Sequence, residues 1–221
     1  MVATIASKAD EIKYTEIINQ ESRKFKKYDE SVLPLLDKVL SDKNQRKFIV
    51  IHLMGNHMQY KERVPEKFKI FTDIDKNFNN WQKNKAKIVN DYDNSVLYVD
   101  YLIGEIISKI EKENKKSYVL YFSDHGEEIY DSKDFMGHGQ SDVNKYVAEV
   151  PFIIWLSEKY KQDSDKIKEI YDSLENSYIT EDIPYTLMDL SYINWTDFDS
   201  EKSIINKNFK EKNRYHNGIK Y

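Results

Sequence analysis

Short runs of apolar residues alternate along this chain with longer stretches in which apolar residues recur every three or four positions. Three runs are rich in β-branched and aromatic side chains, which favour strands, and they cover residues 48–53, 118–122 and 151–156. Each run is apolar on both faces of the strand it would form. We therefore predict three buried strands.

The longest helical pattern lies between the first two predicted strands. Val89, Val96, Val99, Ile103 and Ile110 recur at helical spacing there, which predicts one long amphipathic helix. Shorter helical patterns cover residues 31–40, 165–174 and 183–190. Helices that alternate with apolar strands indicate an α/β fold, and we expect a mostly parallel central sheet with helices on both faces.

Nothing in the pattern divides the chain. It has 221 residues with only 6 Gly and 4 Pro, and no Gly-, Ser- or Pro-rich linker interrupts it. We therefore predict a single domain over residues 1–221. Residues 192–221 are polar and weakly periodic, and we expect this C-terminal segment to pack on the body through Trp195 and Phe198.

Composition and charge exclude several classes of protein. The formal net charge is -4 and no long block carries charge of one sign, which argues against a nucleic-acid surface. The absence of Cys excludes disulfides and thiolate metal ligands. No stretch approaches the roughly 20 apolar residues that a membrane-spanning helix needs, so the chain as given is expected to be soluble.

Residues that can bind a metal follow the predicted strands. In open α/β sheets ligands collect beyond the carboxyl ends of the strands, and the second strand runs directly into Ser123, Asp124, His125 and Gly126. Asp124 and His125 offer one carboxylate oxygen and one imidazole nitrogen, a set suited to Zn²⁺ or Mn²⁺. Gly126 permits the sharp turn that would bring these adjacent side chains to one ion.

The other histidines extend this pattern. His57 follows the first predicted strand, and His138 lies between two glycines, which makes it a candidate metal or phosphate contact. A single histidine is more often a structural residue, but four of the five histidines lie in or near these loops. Glu127 or Glu128 is expected to accept a hydrogen bond that orients the imidazole of His125.

Three other features are assigned no chemistry. His216 lacks any supporting context, and Ser123 is not part of a Gly-x-Ser-x-Gly elbow that would make it a nucleophile. The tyrosines of the long helix, among them Tyr92, Tyr98 and Tyr101, are interpreted as core residues with a hydroxyl at the edge.

With these loops in place, the chain resembles the C-terminal half of the soluble catalytic domain of bacterial phosphoethanolamine transferases, within the alkaline phosphatase and sulfatase superfamily. The resemblance spans most of the chain. The segments that carry it are residues 5–11, 28–30, 52–57 (His-Leu-Met-Gly-Asn-His), 92–98, 122–127 (Phe-Ser-Asp-His-Gly-Glu) and 150–152.

This resemblance implies roles for four residues. Asp124 and His125 would bind the catalytic Zn²⁺, with Mn²⁺ the less favoured ion, and His57 and His138 would help to hold the substrate or a second zinc. The implied reaction transfers phosphoethanolamine from phosphatidylethanolamine to an envelope acceptor such as lipid A or another glycan. The implied location is the periplasmic face of the inner membrane, reached through an upstream membrane segment that this sequence does not contain.

Two elements of the family pattern are not found. The resemblance implies an acidic zinc ligand after the first strand of the family fold, upstream of Asp124 and His125, and none is identified in this sequence. The family uses a nucleophilic threonine at a helix start, but Thr4 precedes a stretch that normally follows that residue, and Thr15 and Thr72 lack its context. We therefore expect a fragment of a larger catalytic domain that lacks its N-terminal part, contains no catalytic nucleophile and is inactive alone. A sulfatase or phosphodiesterase of the same superfamily is the alternative, and a noncatalytic binding module is the second.

Overall fold

The computed structural model describes residues 7–15, 28–43, 46–139, 144–216 and 219–220. The chain forms two compact units, residues 1–113 and 114–221. The prediction that these residues belong to a single domain stays a prediction. Thr4 and the first residues of the 5–11 segment lie outside the described residues.

The described part of the N-terminal unit is helical. Its regular elements are a 3-10 helix at Asp29–Val32, α1 (Leu33–Leu40), α2 (Tyr60–Arg63), a 3-10 helix at Glu66–Phe68 and α3 (Asn80–Lys112). Helix α3 matches the long helix expected from the periodicity, and it begins where Asn79 and Gln82 form a reciprocal capping box. A membrane-spanning helix is not found among the residues that the structure describes.

The core of this unit lies along α3. Tyr98 and Leu102 are fully buried with Val64, and Phe68 and Tyr101 pack against them. The Tyr98 hydroxyl accepts a hydrogen bond of 2.9 Å from the backbone N–H of Glu30, and burial raises the pKa of this phenol. The interpretation of the helix tyrosines as core residues is therefore confirmed for Tyr98.

The first predicted strand is absent. Residues 48–53 do not form a strand, and Phe48 and Val50 are 72% and 63% exposed. Exposure still alternates along this segment, as it does along a strand, but no described strand pairs with it. The prediction was wrong because an apolar run indicates an extended segment, whereas a strand also requires a hydrogen-bonded neighbour.

Within its described residues, the C-terminal unit combines three two-stranded sheets with helices. Its elements are β1 (Tyr118–Phe122), β2 (Glu128–Ile129), β3 (Met136–Gly137), α4 (Lys145–Ala148), β4 (Phe152–Leu156), α5 (Glu158–Asp163), α6 (Ile167–Asp172), a 3-10 helix (Thr180–Asp182), α7 (Ile183–Leu190), β5 (Tyr215–His216) and β6 (Ile219–Lys220). Strands β1 and β4 confirm the second and third predicted strands. The expectation that these strands are buried was wrong, because only Leu156 is buried among their residues and Phe122 and Ile153 are exposed.

Strand direction differs from the expectation. The three strand pairs of the described residues, β1 with β4, β2 with β3 and β5 with β6, are all antiparallel, whereas the sequence pattern indicated mostly parallel pairing. A parallel pair needs a crossover that is usually helical. The connection from β1 to β4 instead contains the β2–β3 hairpin and the four-residue helix α4.

The core of this unit includes the C-terminal segment. Leu156, Tyr160, Ile170 and Leu190 are buried together with Ile204 and Ile205. Of the two expected anchors, Trp195 is 58% exposed and does not anchor the segment, whereas Phe198 is half-buried with its ring 6.3 Å from that of Tyr185. The segment is also anchored by the isoleucine pair, which the weak periodicity of residues 192–221 did not reveal.

Candidate metal centre

The candidate metal centre lies on the loop that leaves β1. The strand ends at Phe122, and the Ser123 hydroxyl donates a 2.7 Å hydrogen bond to the carbonyl oxygen of His125, which closes a tight turn. Because the strand has ended, adjacent side chains are no longer forced to opposite faces. Asp124 and His125 accordingly approach each other, with 3.9 Å between Asp124 Oδ1 and His125 Nε2.

Gly126 holds this turn against α4. Its N–H donates a 2.8 Å hydrogen bond to the carbonyl oxygen of Val147. A Cβ atom at position 126 would lie 2.1 Å from the carbonyl oxygen of Tyr146, well inside van der Waals contact. The glycine is therefore required by the close approach of two backbone segments.

The β2–β3 hairpin returns His138 to this loop. Glu128 pairs with Gly137 and Ile129 with Met136, so the next positions outward in this register are Glu127 and His138. His138 Nδ1 lies 2.9 Å from Glu127 Oε1. Gly137 has φ 109°, a left-handed conformation that glycine adopts without strain.

Three ligand-type side chains meet at this point. His125, Glu127 and His138 each have a ligand atom within 4.8 Å of the others, and the two imidazole rings lie 3.7 Å apart between centroids. Asp124 is outside this group, and its side chain is 85% exposed. The structure thus brings His125 and His138 together as the sequence suggested, and it adds Glu127 as the residue that joins them.

The hydrogen bonds define which imidazole nitrogens can bind a metal. His125 Nδ1 lies 2.9 Å from the carbonyl oxygen of Gly126, and a carbonyl oxygen only accepts. Nδ1 is therefore the protonated nitrogen of the neutral ring, and the lone pair resides on Nε2. His138 donates from Nδ1 to Glu127 in the same way, so its lone pair also resides on Nε2.

Glu127 offers an oxygen suited to a cation. Its side chain is only 5% exposed, and while Oε1 binds His138, Oε2 is buried without a hydrogen-bond partner among the described residues. Burying an unpaired carboxylate oxygen is unfavourable unless a cation or donor compensates for the lost water. The donor set of two imidazoles and carboxylate oxygens fits Zn²⁺.

Glu128 has a different role from the one expected. It does not contact an imidazole in the described structure. Its fully buried carboxylate instead accepts hydrogen bonds from Ser132 and Asn144. Burial by itself would raise the pKa of Glu128, but these hydrogen bonds outweigh it and lower the pKa to about 2.

His57 belongs to the N-terminal unit. Its loop is held by Asp29, whose Oδ2 accepts hydrogen bonds from the backbone N–H groups of Met54 at 3.0 Å and Gly55 at 2.7 Å. The N–H of His57 donates to the carbonyl oxygen of Met54 at 2.9 Å, which forms a turn, and its side chain is exposed. Burial raises the pKa of Asp29 against the effect of these hydrogen bonds.

Sequence reasoning missed the cooperation of Glu127 with His138 and the network around Glu128. The signal in the sequence was weak. Two glycines flank His138, but Tyr130, which has a left-handed φ of 63° in the connection between β2 and β3, is not a residue type that predicts this conformation. A hairpin with two paired residues per strand is too short to be recognised by periodicity. Thr15 and Thr72 both lie outside helices, as their sequence context indicated.

Comparison with known proteins identifies related sequences. The model of the family described as Sulfatase matches residues 4–193. Among characterised proteins, phosphoethanolamine transferase EptC of Escherichia coli is 31% identical over 202 residues, which cover 89% of this chain and 34% of EptC. The Kdo(2)-lipid A phosphoethanolamine 7''-transferase of Escherichia coli is 31% identical over 173 residues, covering 70% of this chain and 28% of that protein.

Solved structures show the same fold. The C-terminal periplasmic domain of EptC from Escherichia coli in complex with Zn superposes with a TM-score of 0.83 at 29% identity, over 96% of this chain and 59% of that one. The corresponding domain of EptC from Campylobacter jejuni gives a TM-score of 0.68 at 26% identity, over 86% of this chain and 61% of that one. The chain spans about a third of the length of the curated relatives it matches.

Proposed function

Since this chain belongs to the sulfatase family, we propose that it forms part of the catalytic domain of a zinc-dependent phosphoethanolamine transferase. The observation that carries the proposal is the loop after β1, where Asp124 approaches His125 and where His125, Glu127 and His138 come together. This loop occurs in a chain of which 89% aligns with a phosphoethanolamine transferase. The alkaline phosphatase and sulfatase fold expected from the sequence is that of the structural relatives.

Asp124 and His125 are proposed as ligands of the catalytic zinc. Two ligands of a tetrahedral zinc lie about 3.3–3.6 Å apart, because each is about 2.0–2.2 Å from the ion. The 3.9 Å between Asp124 Oδ1 and His125 Nε2 is close to that range, and the exposed Asp124 side chain can adjust. Bound zinc would act as a Lewis acid that stabilises negative charge on phosphoryl oxygens.

The remaining assignments concern the substrate. His138, with its Nε2 lone pair directed by Glu127, and His57 are proposed to contact the phosphoethanolamine group. We propose phosphatidylethanolamine as donor and an envelope glycan or lipid A as acceptor, at the periplasmic face of the inner membrane. The lipid A acceptor is supported by the name of one relative, and the location is supported by structural relatives that are periplasmic domains. No residue of the chain is assigned as the nucleophile.

Metal titration tests the zinc assignment. Zinc added to the metal-free chain in competition with a chromophoric chelator is expected to bind wild type and to bind Asp124→Ala and His125→Ala at least tenfold more weakly. Asp172→Ala is the matched control, since it removes an exposed carboxylate that pairs with Lys168 on the surface. Unchanged affinity in both site variants would refute the assignment.

Ligand binding to the zinc-loaded chain separates the alternatives. Phosphoethanolamine is expected to bind more tightly than an aryl sulfate, and His138→Ala is expected to weaken it. The opposite preference would favour the sulfatase alternative. Zinc binding without affinity for either compound would favour the noncatalytic module.

A further inference from the structure

Glu128 is a buried carboxylate next to the metal centre that the proposed chemistry does not use. It is 0% exposed, in contrast to the exposed Asp124. Three hydrogen bonds converge on it, from the Ser132 N–H at 2.8 Å, the Ser132 hydroxyl at 2.6 Å and the Asn144 side-chain amide at 2.5 Å. Desolvating a carboxylate is costly, so these donors are needed to keep it ionised.

The two donors come from opposite ends of the segment that contains His138. Ser132 lies between β2 and β3, whereas Asn144 is the N-cap of α4. The Asn144 side-chain oxygen accepts from the N–H groups of Tyr146 at 3.0 Å and Val147 at 3.2 Å. One carboxylate therefore ties the hairpin to the start of α4.

Helix α4 in turn holds the metal-binding loop. The carbonyl oxygen of Val147 accepts from the N–H of Gly126, and the carbonyl oxygen of Gly126 accepts from His125 Nδ1. The connection from Glu128 through Asn144 and α4 thus ends on the imidazole of His125. Glu128 is also linked to His138, because its backbone pairs with Gly137 in the β2–β3 hairpin and this register places His138 opposite Glu127.

We propose that Glu128 is a positioning residue that sets the mutual geometry of His125, Glu127 and His138 without contacting the metal or the substrate. The proposal rests on the proposed function only where it concerns metal affinity. The effect of Glu128 on the orientation of the His125 and His138 imidazoles follows from hydrogen bonds within the chain and does not depend on a bound metal.

Glu128→Gln tests the proposal with little change of shape. The carboxamide has one acceptor oxygen instead of two, and its NH₂ group faces one or two of the donors from Ser132 and Asn144, so at least one hydrogen bond is lost. Ser132→Ala removes the hydroxyl, which donates to Glu128 at 2.6 Å and accepts from the Asn144 side-chain amide at 3.2 Å, and it tests the same network if Glu128→Gln does not fold. Glu175→Gln, which removes the charge of an exposed glutamate in the same unit, is the control.

The first measurement is the nitrogen-15 NMR spectrum of the imidazoles in the metal-free full chain. In wild type, His125 and His138 are expected as Nδ1–H tautomers. Glu128→Gln and Ser132→Ala are expected to shift the His125 and His138 signals and raise the Nε2–H population, while Glu175→Gln leaves them unchanged. Folded variants with wild-type imidazole signals would overturn the proposal.

The second measurement is zinc affinity by chelator competition, with thermal unfolding of the same samples. Glu128→Gln is expected to weaken zinc binding by about 10- to 100-fold, as is usual when residues that orient metal ligands are replaced. A lower unfolding midpoint with unchanged affinity would show a purely structural role and overturn the proposal. If wild type binds no zinc, the proposed function fails, whereas the imidazole spectra still decide the role of Glu128.

Discussion

Individual residues of the metal-binding loop differ sharply in how much freedom the structure leaves them. The Asp124 side chain is exposed and lies near His125 at the surface. Gly126, in contrast, faces the backbone of α4, which leaves no space for a side chain. At Gly139, one residue beyond His138, a Cβ atom would meet nothing within 4 Å among the described residues. The two glycines therefore offer a matched test of what the loop requires.

Gly126→Ala is expected to lower the free energy of unfolding by about 1–3 kcal/mol, because the new methyl group overlaps the Tyr146 carbonyl oxygen and must displace α4 or the loop. Zinc affinity should fall with it, since the same backbone orients His125. Urea unfolding and chelator competition measure the two effects. Gly139→Ala should change neither, and equal results for both variants would contradict this view of the loop.

At the scale of elements, the conformation of the long helix α3 is determined by local interactions, whereas that of the short hairpin β2–β3 depends on contacts with residues outside its strands. Helix α3 has 33 residues, a capping box at its start and basic residues in its last turn, so local interactions define it. The hairpin has two residues per strand, and its shape depends on Glu128 and on left-handed backbone at Gly137. The hairpin positions His138 beside Glu127 in the metal centre. Helix α3 contributes Tyr98 and Leu102 to the core of the N-terminal unit.

Asn79→Ala is expected to destabilise the start of α3 by about 1 kcal/mol, because the Asn79 side chain no longer accepts from the N–H of Gln82. Amide hydrogen exchange should become faster at residues 80–83 and stay unchanged in the middle of the helix. Asn84→Ala, at an exposed helical position, should not accelerate exchange. Faster exchange along the entire helix would show that the cap is not a local feature.

Much of the secondary structure could be predicted from the chain, and the site could be predicted in part. The helical period of α3 and the apolar runs of β1 and β4 are properties of adjacent residues, so they are readable locally. The pairing of Glu127 with His138 joins residues 11 positions apart. It depends on hairpin register, which periodicity does not report.

At the scale of the whole molecule, two compact units each have their own core, and in the C-terminal unit a partly buried ion pair joins distant segments. The Asp189 carboxylate on α7 accepts from Lys166 and, at 2.8 Å, from Asn206 in the C-terminal segment. Burial by itself would raise the pKa of Asp189, but hydrogen bonds from Lys166 and Asn206 outweigh it and lower the pKa below its ordinary value.

This depressed pKa predicts a pH dependence. Because the folded state binds the Asp189 proton less tightly than the unfolded state, the stabilisation is fully present above about pH 4 and is lost as the pH falls through the folded value. Asp189→Asn should lower the free energy of unfolding at pH 7, and its difference from wild type should shrink below about pH 4. Urea unfolding of both proteins between pH 7 and pH 3 measures this difference in the free energy of unfolding.

Asp172→Asn is the control for the pH experiment, since Asp172 pairs with Lys168 at the surface. Such exposed pairs contribute little to stability, so this variant should follow wild type closely across the pH range. A constant difference between Asp189→Asn and wild type from pH 7 to pH 3 would contradict the assignment of the lowered pKa to the folded state.

The sequence alone determined the long helix, two of the three predicted strands and the position of Asp124 and His125 directly after a strand. These features depend on the period of apolar residues and on neighbours in the chain. Only the tertiary structure decided that residues 48–53 lack a strand partner in the described part of the chain and that the described strand pairs are antiparallel. It also decided that Glu127 and Glu128 have separate roles, because each role depends on contacts across the β2–β3 hairpin and with the start of α4.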